Sequence, residues 1–176
     1  LEGELLLERL QRLRKQGQVM PIWEVLHFTR QIASAMETAH AANIVHRDLK
    51  PENIMIVADP DLPKGERVKI MDFGLAKILS VGGPALTMEG VGVGTHHYMA
   101  PEQREGRTVT TKADVYSLGI IIDQLISPRS LKRIHGALPS MVESMVSRDP
   151  RQRPTMQEAA GRLDQVEARS EEHTSE

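Results

Sequence analysis

The chain has 176 residues, a formal charge of −2 and 40% hydrophobic content, enough for one domain or a large piece of one. So balanced a charge gives no reason to expect nucleic acid or an acidic membrane surface as a partner. It has no cysteine, which excludes disulfides and thiolate metal sites and is compatible with a reducing, cytoplasmic setting; no apolar run nears the ~20 residues that span a bilayer.

Residues 1–18, LEGELLLERLQRLRKQGQ, set Leu5, Leu6, Leu10 and Leu13 on one face of a predicted helix that stops at Gly17. Arg9, Arg12, Arg14 and Lys15 read as its solvated face. The pattern is already under way at Leu1, with no signal peptide, so the true start is expected upstream. Pro21 opens a second helix, PIWEVLHFTRQIASAMETAHAAN, with Val25, Phe28, Ile32, Ala35, Met36 and Ala39 at helical spacing and proline suited to the first turn. Met36 reads as core filling, not as a ligand. After Asn43 come the short β-branched runs NIVH, NIMIV and RVKIMDF, with the turn-rich ADPDLPKGE between the last two. Two or three short strands are predicted, with a hairpin between Val57 and Val68. Residues 80–99, SVGGPALTMEGVGVGTHHYM, form a long glycine-rich stretch without a period, the kind that is functional or disordered. Helices resume at TKADVYSLGIIIDQLI, LPSMVESMVSRD and RPTMQEAAGRLDQVEAR, and there are no internal repeats.

Polar residues cluster at the edges of the β-rich runs: Asp48, Lys50 and Asn53 in HRDLKPEN, and Asp72 ahead of Phe73. Asn53 and Asp72 are hard oxygen donors suited to Mg²⁺ carried by substrate phosphates. Asp48 can accept or orient a hydroxyl proton, and Lys50 can offset charge on a transferring phosphoryl group. Together they suit phosphoryl transfer, where catalysis is mostly positioning and electrostatics. Each residue alone has a plain reading, since Asp and Asn are common at turns and caps. The joint spacing favours the chemistry.

These motifs resemble those of protein kinases. HRDLKPEN (46–53) is similar to the catalytic loop, DFG (72–74) to the metal-binding turn, and GTHHYMAPE (94–102) to the end of the activation segment. DVYSLG (114–119) and RDPRQRP (148–154) resemble later helical landmarks. The likeness covers residues 1 to about 168, taken as the partial kinase domain. Its idiom is that of bacterial kinases of the eukaryotic type, with the eukaryotic stress kinases that modify a translation initiation factor as nearest competitors.

The resemblance implies a protein-kinase-like α+β fold, here a mostly α-helical C-terminal lobe with a small β-hairpin platform. It implies a protein serine/threonine kinase that uses ATP and Mg²⁺ and acts on Ser/Thr hydroxyls of protein substrates. By the same resemblance Asp48 is the catalytic base, Lys50 contacts the γ-phosphate, and Asn53 and Asp72 hold the metal ions. Glu52 and Met55 join Lys50, Asn53 and Asp72 in binding the nucleotide, Met55 under the adenine ring. His46 and Phe73 stack in an internal apolar column, Glu102 and Arg153 form a buried ion pair, and Asp114 accepts backbone hydrogen bonds from the 46–53 loop. His40 packs near that loop, while His96 and His97 have no special role. Lys50 with Gly94 and Thr95 resembles the serine/threonine branch, Thr95 bonding toward Asp48 and Lys50. Arg47 marks kinases ordered by phosphorylation, where a dianion pairs with arginine. Thr87 is the first candidate phosphosite and Ser80 the second; the alternative for Thr87 is a merely tolerated loop residue.

Three departures stand beside the likeness. Nothing resembles the glycine-rich phosphate loop, the ATP-orienting lysine strand or the helix with its glutamate partner. The N-terminal lobe is therefore expected to be missing, and the isolated chain is predicted to turn over ATP negligibly. A pseudokinase-type scaffold is the alternative, set against intact Asp48, Asn53 and Asp72. SPRSLKRIHGA (127–137) is much shorter than the family's docking segment, and a true loss and a damaged coding sequence both stay open. RSEEHTSE (169–176) looks like the translation of a sequencing-library adapter, against a plain frayed helix end.

Overall fold

The computed structural model describes residues 3–73, 95–126 and 137–172. Ser80 and Thr87, and with them the phosphate partner expected for Arg47, lie outside the described residues, as do residues 127–136 and 173–176.

A short strand β1 (Glu4–Leu5) precedes helix α1 (Leu6–Lys15). The predicted helix was to include Leu5; instead Leu5 pairs with Met55, and Glu4 with Ile56. Two local causes are visible. Gly3 lets the main chain press against the neighbouring strand, since a Cβ there would stand 2.8 Å from the Ile56 carbonyl. The Glu8 carboxylate accepts the Leu5 N–H at 2.9 Å, which caps the helix at this point. Leu6 and Leu10 are buried and Leu13 packs beside them.

Arg9 corrects the solvated-face reading. Its side chain is only 14% exposed, and it pairs with Glu4, Glu24 and Glu66. Helix spacing sees one helix alone, whereas these carboxylates come from β1, from a second helix and from the far strand of the sheet. Arg12, Arg14 and Lys15 are exposed.

Helix α2 (Ile22–Ala41) follows Pro21 and is buried without a break from Glu24 to Thr29. The sheet packs on one side of it, and two later helices pack on the others. Val25, Phe28, Ile32 and Met36 are buried as the spacing predicts, but Ala35 is exposed and Ala33 is buried. The buried face therefore takes in 29 and 33 as well and is wider than the predicted stripe. At the C-terminus Asn43 takes φ +59, with Asn43 N–H on His40 O and Ile44 N–H on Ala39 O, both 2.9 Å. This paired closure suits asparagine, which tolerates the left-handed region.

Strands β2 (Ile54–Ala58) and β3 (Glu66–Ile70) form the predicted hairpin in the register Ile56↔Val68 and Val57↔Arg67. The sheet is antiparallel in the order β1-β2-β3. NIVH is not a strand. Its first residue, Asn43, and the residue after it, Arg47, both have positive φ, and side chains rather than a ladder take up the backbone groups of 46 and 47, as detailed below. The outer edge of β3 is held by α2: Val68 N–H donates to Gln31 Oε1 at 3.0 Å, and Gln31 Nε2–H donates to Glu66 O at 3.3 Å.

A single-turn helix α3 (Pro101–Arg104), helix α4 (Lys112–Leu125), α5 (Ala137–Met145) and α6 (Met156–Glu172) complete the described elements. Thr155 and Glu158 cap α6 reciprocally, Thr155 N–H to Glu158 Oε2 at 2.6 Å and Glu158 N–H to Thr155 Oγ1 at 3.1 Å. Gly119 permits close crossing of α4 and α5, because a Cβ there would stand 2.8 Å from Val146 Cγ1 and 2.9 Å from Met145 Cβ. One core joins residues from Leu6 to Val166. The architecture is the expected one, a mostly helical lobe carrying a small antiparallel sheet. Among the described residues no helix is long and apolar enough to cross a membrane.

Candidate active site

Between α2 and β2 the chain has no regular structure until a 3₁₀ turn at Pro51–Asn53, so its shape must come from side chains. Asp114, in the first turn of α4 and fully buried, supplies most of it. Its Oδ1 accepts the Arg47 N–H at 2.9 Å. Its Oδ2 accepts the His46 N–H at 2.9 Å and bonds His40 Nε2 at 2.8 Å. Three donors compensate a carboxylate that burial would otherwise penalise heavily.

His46 is 1% exposed and joins two segments. Its Nδ1 accepts the Asp48 N–H at 3.2 Å, so its Nε2–H donates to Met71 O at 2.8 Å. The Met71 N–H in turn donates to Asn53 O at 2.8 Å. Both backbone polar groups of Met71 are thus held by the 46–53 loop, and Asp72, at φ +59, starts from that fixed point.

Asp48, Lys50 and Asn53 meet at one carboxylate. Lys50 Nζ lies 3.1 Å from Asp48 Oδ2. Asn53 Nδ2–H donates to Asp48 O at 2.8 Å and to Asp48 Oδ2 at 3.1 Å. The Asp48 side chain is 40% exposed, open to an incoming group. Because the Asn53 nitrogen is committed to donation, its Oδ1 is left as the acceptor end. The exposed Asp72 carboxylate makes no hydrogen bond or ion pair among the described residues. Met55 is part-buried on β2, paired with Leu5 on one side and Lys69 on the other. Glu52 keeps one carboxylate oxygen buried without a hydrogen bond among the described residues.

Phe73 meets the His46 ring edge-on at 4.8 Å, but it is 41% exposed. It lies at the surface of the described residues. Thr95 stands in a 3₁₀ turn, Thr95–His97, and its side chain is not described; His97 is exposed and meets Tyr98 edge-on.

Glu102 and Arg153 form a buried ion pair through two bonds of 2.7 and 2.8 Å. Arg153 also donates to the carbonyls of Ser147 and Lys112 and stands over the Tyr116 ring. Burial is the largest single influence on the Glu102 carboxyl and pushes it up, but the Arg153 hydrogen bonds, a backbone N–H and the nearby Arg153 and Arg107 charges together hold it below its ordinary value.

Sequence reasoning missed Gln103. Its Nε2–H donates to Arg47 O at 2.8 Å while its Oε1 accepts the Ala100 N–H at 3.2 Å. The available signal was positional: glutamine at the third residue of a helix opened by proline is a residue that reaches back.

A groove of about 770 Å³ lies elsewhere, between α2, the β2–β3 turn and α6. Volume does not mark the site here. In that groove Arg30 pairs with Asp164 and Glu167, whereas the 46–53 loop keeps an exposed acid beside a lysine.

Comparison with known proteins gives matches over much of the chain. The protein kinase domain matches residues 2–136. The chain is 44% identical over 105 residues to serine/threonine-protein kinase pkn3 of Myxococcus xanthus, covering 58% of this chain and 19% of that protein. It is 39% identical over 115 residues to serine/threonine-protein kinase PknD of Mycobacterium tuberculosis, covering 65% and 16%. It is 38% identical over 110 residues to serine/threonine-protein kinase A of Synechocystis, covering 58% and 20%. The chain spans about a fifth or less of the length of these curated relatives.

Proposed function

Because this chain belongs to the protein kinase domain family, we propose that it is the helical, substrate-side lobe of a serine/threonine protein kinase. It works when joined to a lobe that supplies the family's glycine-rich loop and ATP-orienting lysine. The observation that carries the reading is the half-exposed Asp48 carboxylate gripped by Lys50 and Asn53. Such a group can orient a serine or threonine hydroxyl and take its proton as the oxygen bonds to the γ-phosphorus of ATP and the bond to ADP breaks. Lys50, beside Asp48, offsets the charge that develops on the transferring group.

Asn53 Oδ1 and the Asp72 carboxylate are the hard oxygens left over by the hydrogen-bond pattern. That donor set fits Mg²⁺, which keeps only one or two protein ligands when it arrives on phosphates. When bound there, the ion would neutralise triphosphate charge. The chain's own part would be to offer those two oxygens from segments that the Met71 backbone bonds tie together. Relatives named as serine/threonine-protein kinases support the choice of acceptor.

The test is transfer of labelled γ-phosphate to a protein substrate by this chain expressed with its natural upstream coding sequence. Transfer to serine or threonine is expected, and Asp48→Asn should lower kcat by about 10²–10⁴-fold. Residues 1–176 alone should show negligible turnover. A folded extended protein that transfers no phosphate overturns the reading.

A further inference from the structure

We propose that Gln103 is a positioning residue for Asp48, acting through the Arg47–Asp48 peptide; the inference rests on the kinase reading above. That peptide is held at both ends. Its carbonyl accepts from Gln103 Nε2 at 2.8 Å, and its N–H donates to His46 Nδ1 at 3.2 Å. The preceding N–H is held by Asp114 at 2.9 Å.

The need for such a grip follows from the backbone. Arg47 has φ +68, a region that a long side chain enters only when its surroundings over-determine it. A peptide next to a left-handed residue is free to rotate unless its carbonyl is tied. Rotation of this one would carry Asp48 away from Lys50 and Asn53. His46 alone holds the N–H through a bond longer than the one to the carbonyl, so the shorter tie is the glutamine's.

Gln103 is itself fixed. Its Oε1 accepts the Ala100 N–H at 3.2 Å, which turns Nε2 toward Arg47 and leaves no equivalent flipped state. Its neighbour Glu102 is anchored by the buried Arg153. Movement of residues 100–103 is therefore transmitted toward Asp48 through the Gln103 amide.

Two variants separate this role from simple helix capping. Gln103→Glu keeps the acceptor for Ala100 N–H but loses the donor and sets a carboxylate against the Arg47 carbonyl. Gln103→Met loses both. In the extended, active protein both should lower kcat about 10- to 100-fold, the scale of a roughly 1 Å misplacement, with KM for ATP and for the protein substrate within about twofold. In the 176-residue chain, hydrogen exchange followed by NMR should show the Asp48 amide about tenfold faster in Gln103→Glu. The core amides of Ile121 and Ile122 should keep their protection. Normal kcat and normal Asp48 exchange in Gln103→Glu, with only Gln103→Met impaired, would reduce Gln103 to a cap and overturn the proposal. Absence of phosphate transfer by the unmutated extended protein would count against the kinase reading alone, and the exchange measurement would still decide whether Gln103 holds the peptide.

Discussion

Two arginines organise this lobe in opposite ways. Arg153 is fully buried and meets one carboxylate, Glu102, itself 1% exposed; its remaining donors go to main-chain carbonyls. Arg9 is 14% exposed and meets three carboxylates that are 28%, 9% and 30% exposed. The first is a neutral, closed unit, and the second is a hub with an excess of negative charge that water must share. A closed unit contributes little net energy but cannot lose a member, since the survivor is a stranded charge. An open hub can lose a member and be rehydrated, so its value is mainly geometric: it pins β1, α2 and β3 to α1.

The sharpest way to break this contrast is Arg153→Ala. It should cost about 3–5 kcal/mol by denaturant unfolding, because Glu102 would remain buried and unpaired. Arg9→Ala should cost less, about 1–2 kcal/mol, through lost packing over Phe28 and lost partial pairing. Arg9→Lys should recover only part of this, since a point charge cannot serve three acceptors as a fork does. Equal losses at 9 and 153 would show that the two centres do not differ in kind.

Acid offers a third measure. The Glu102 carboxyl is held below its ordinary 4.5 in the folded chain, although burial alone would raise it, because Arg153 bonds its charged form. Glu4 shifts the same way through its bond from Arg12, against a smaller opposing effect of burial, with Arg9 adding to it. Both carboxyls bind a proton less readily folded than unfolded. Their contribution is therefore present above about pH 4.5 and is lost as pH falls through the lower folded-state values. The stability gap between the unmutated chain and Glu102→Gln should narrow below pH 4.5 and stay constant above pH 6 or so. The smallest effect belongs to Arg30, whose partners Asp164 and Glu167 lie 3.3 and 3.0 Å away at the surface. Arg30→Ala should change stability by no more than about 0.5 kcal/mol and should vanish at high salt.

The same contrast explains what could be read from the chain beforehand. Residues 46–53 are contiguous, so spacing alone brings Asp48, Lys50 and Asn53 into one loop and one 3₁₀ turn. The hairpin of β2 and β3 announces itself through two apolar runs and a turn-rich link. Asp114 and Arg153 are remote from their partners, and only the family resemblance joined them in advance; no periodicity does. Arg9 had neither local spacing nor a motif to reveal it, since its carboxylates come from positions 4, 24 and 66. The strand at Glu4–Leu5 is too short to show alternation. NIVH looked like a strand because its side chains are apolar, but strands are decided by where backbone groups bond, and here a buried carboxylate had already claimed them.

The Gln31 amide has a consequence for life in a crowded solution. A three-stranded sheet offers two borders to any passing extended chain, and one of them, β1, spans only two residues. Along the other, glutamine and its neighbour His27 already occupy the Glu66 carbonyl, and glutamine the Val68 N–H. A foreign strand would have to evict a side chain that mimics its own backbone, so templated growth of fibrils from this border is discouraged.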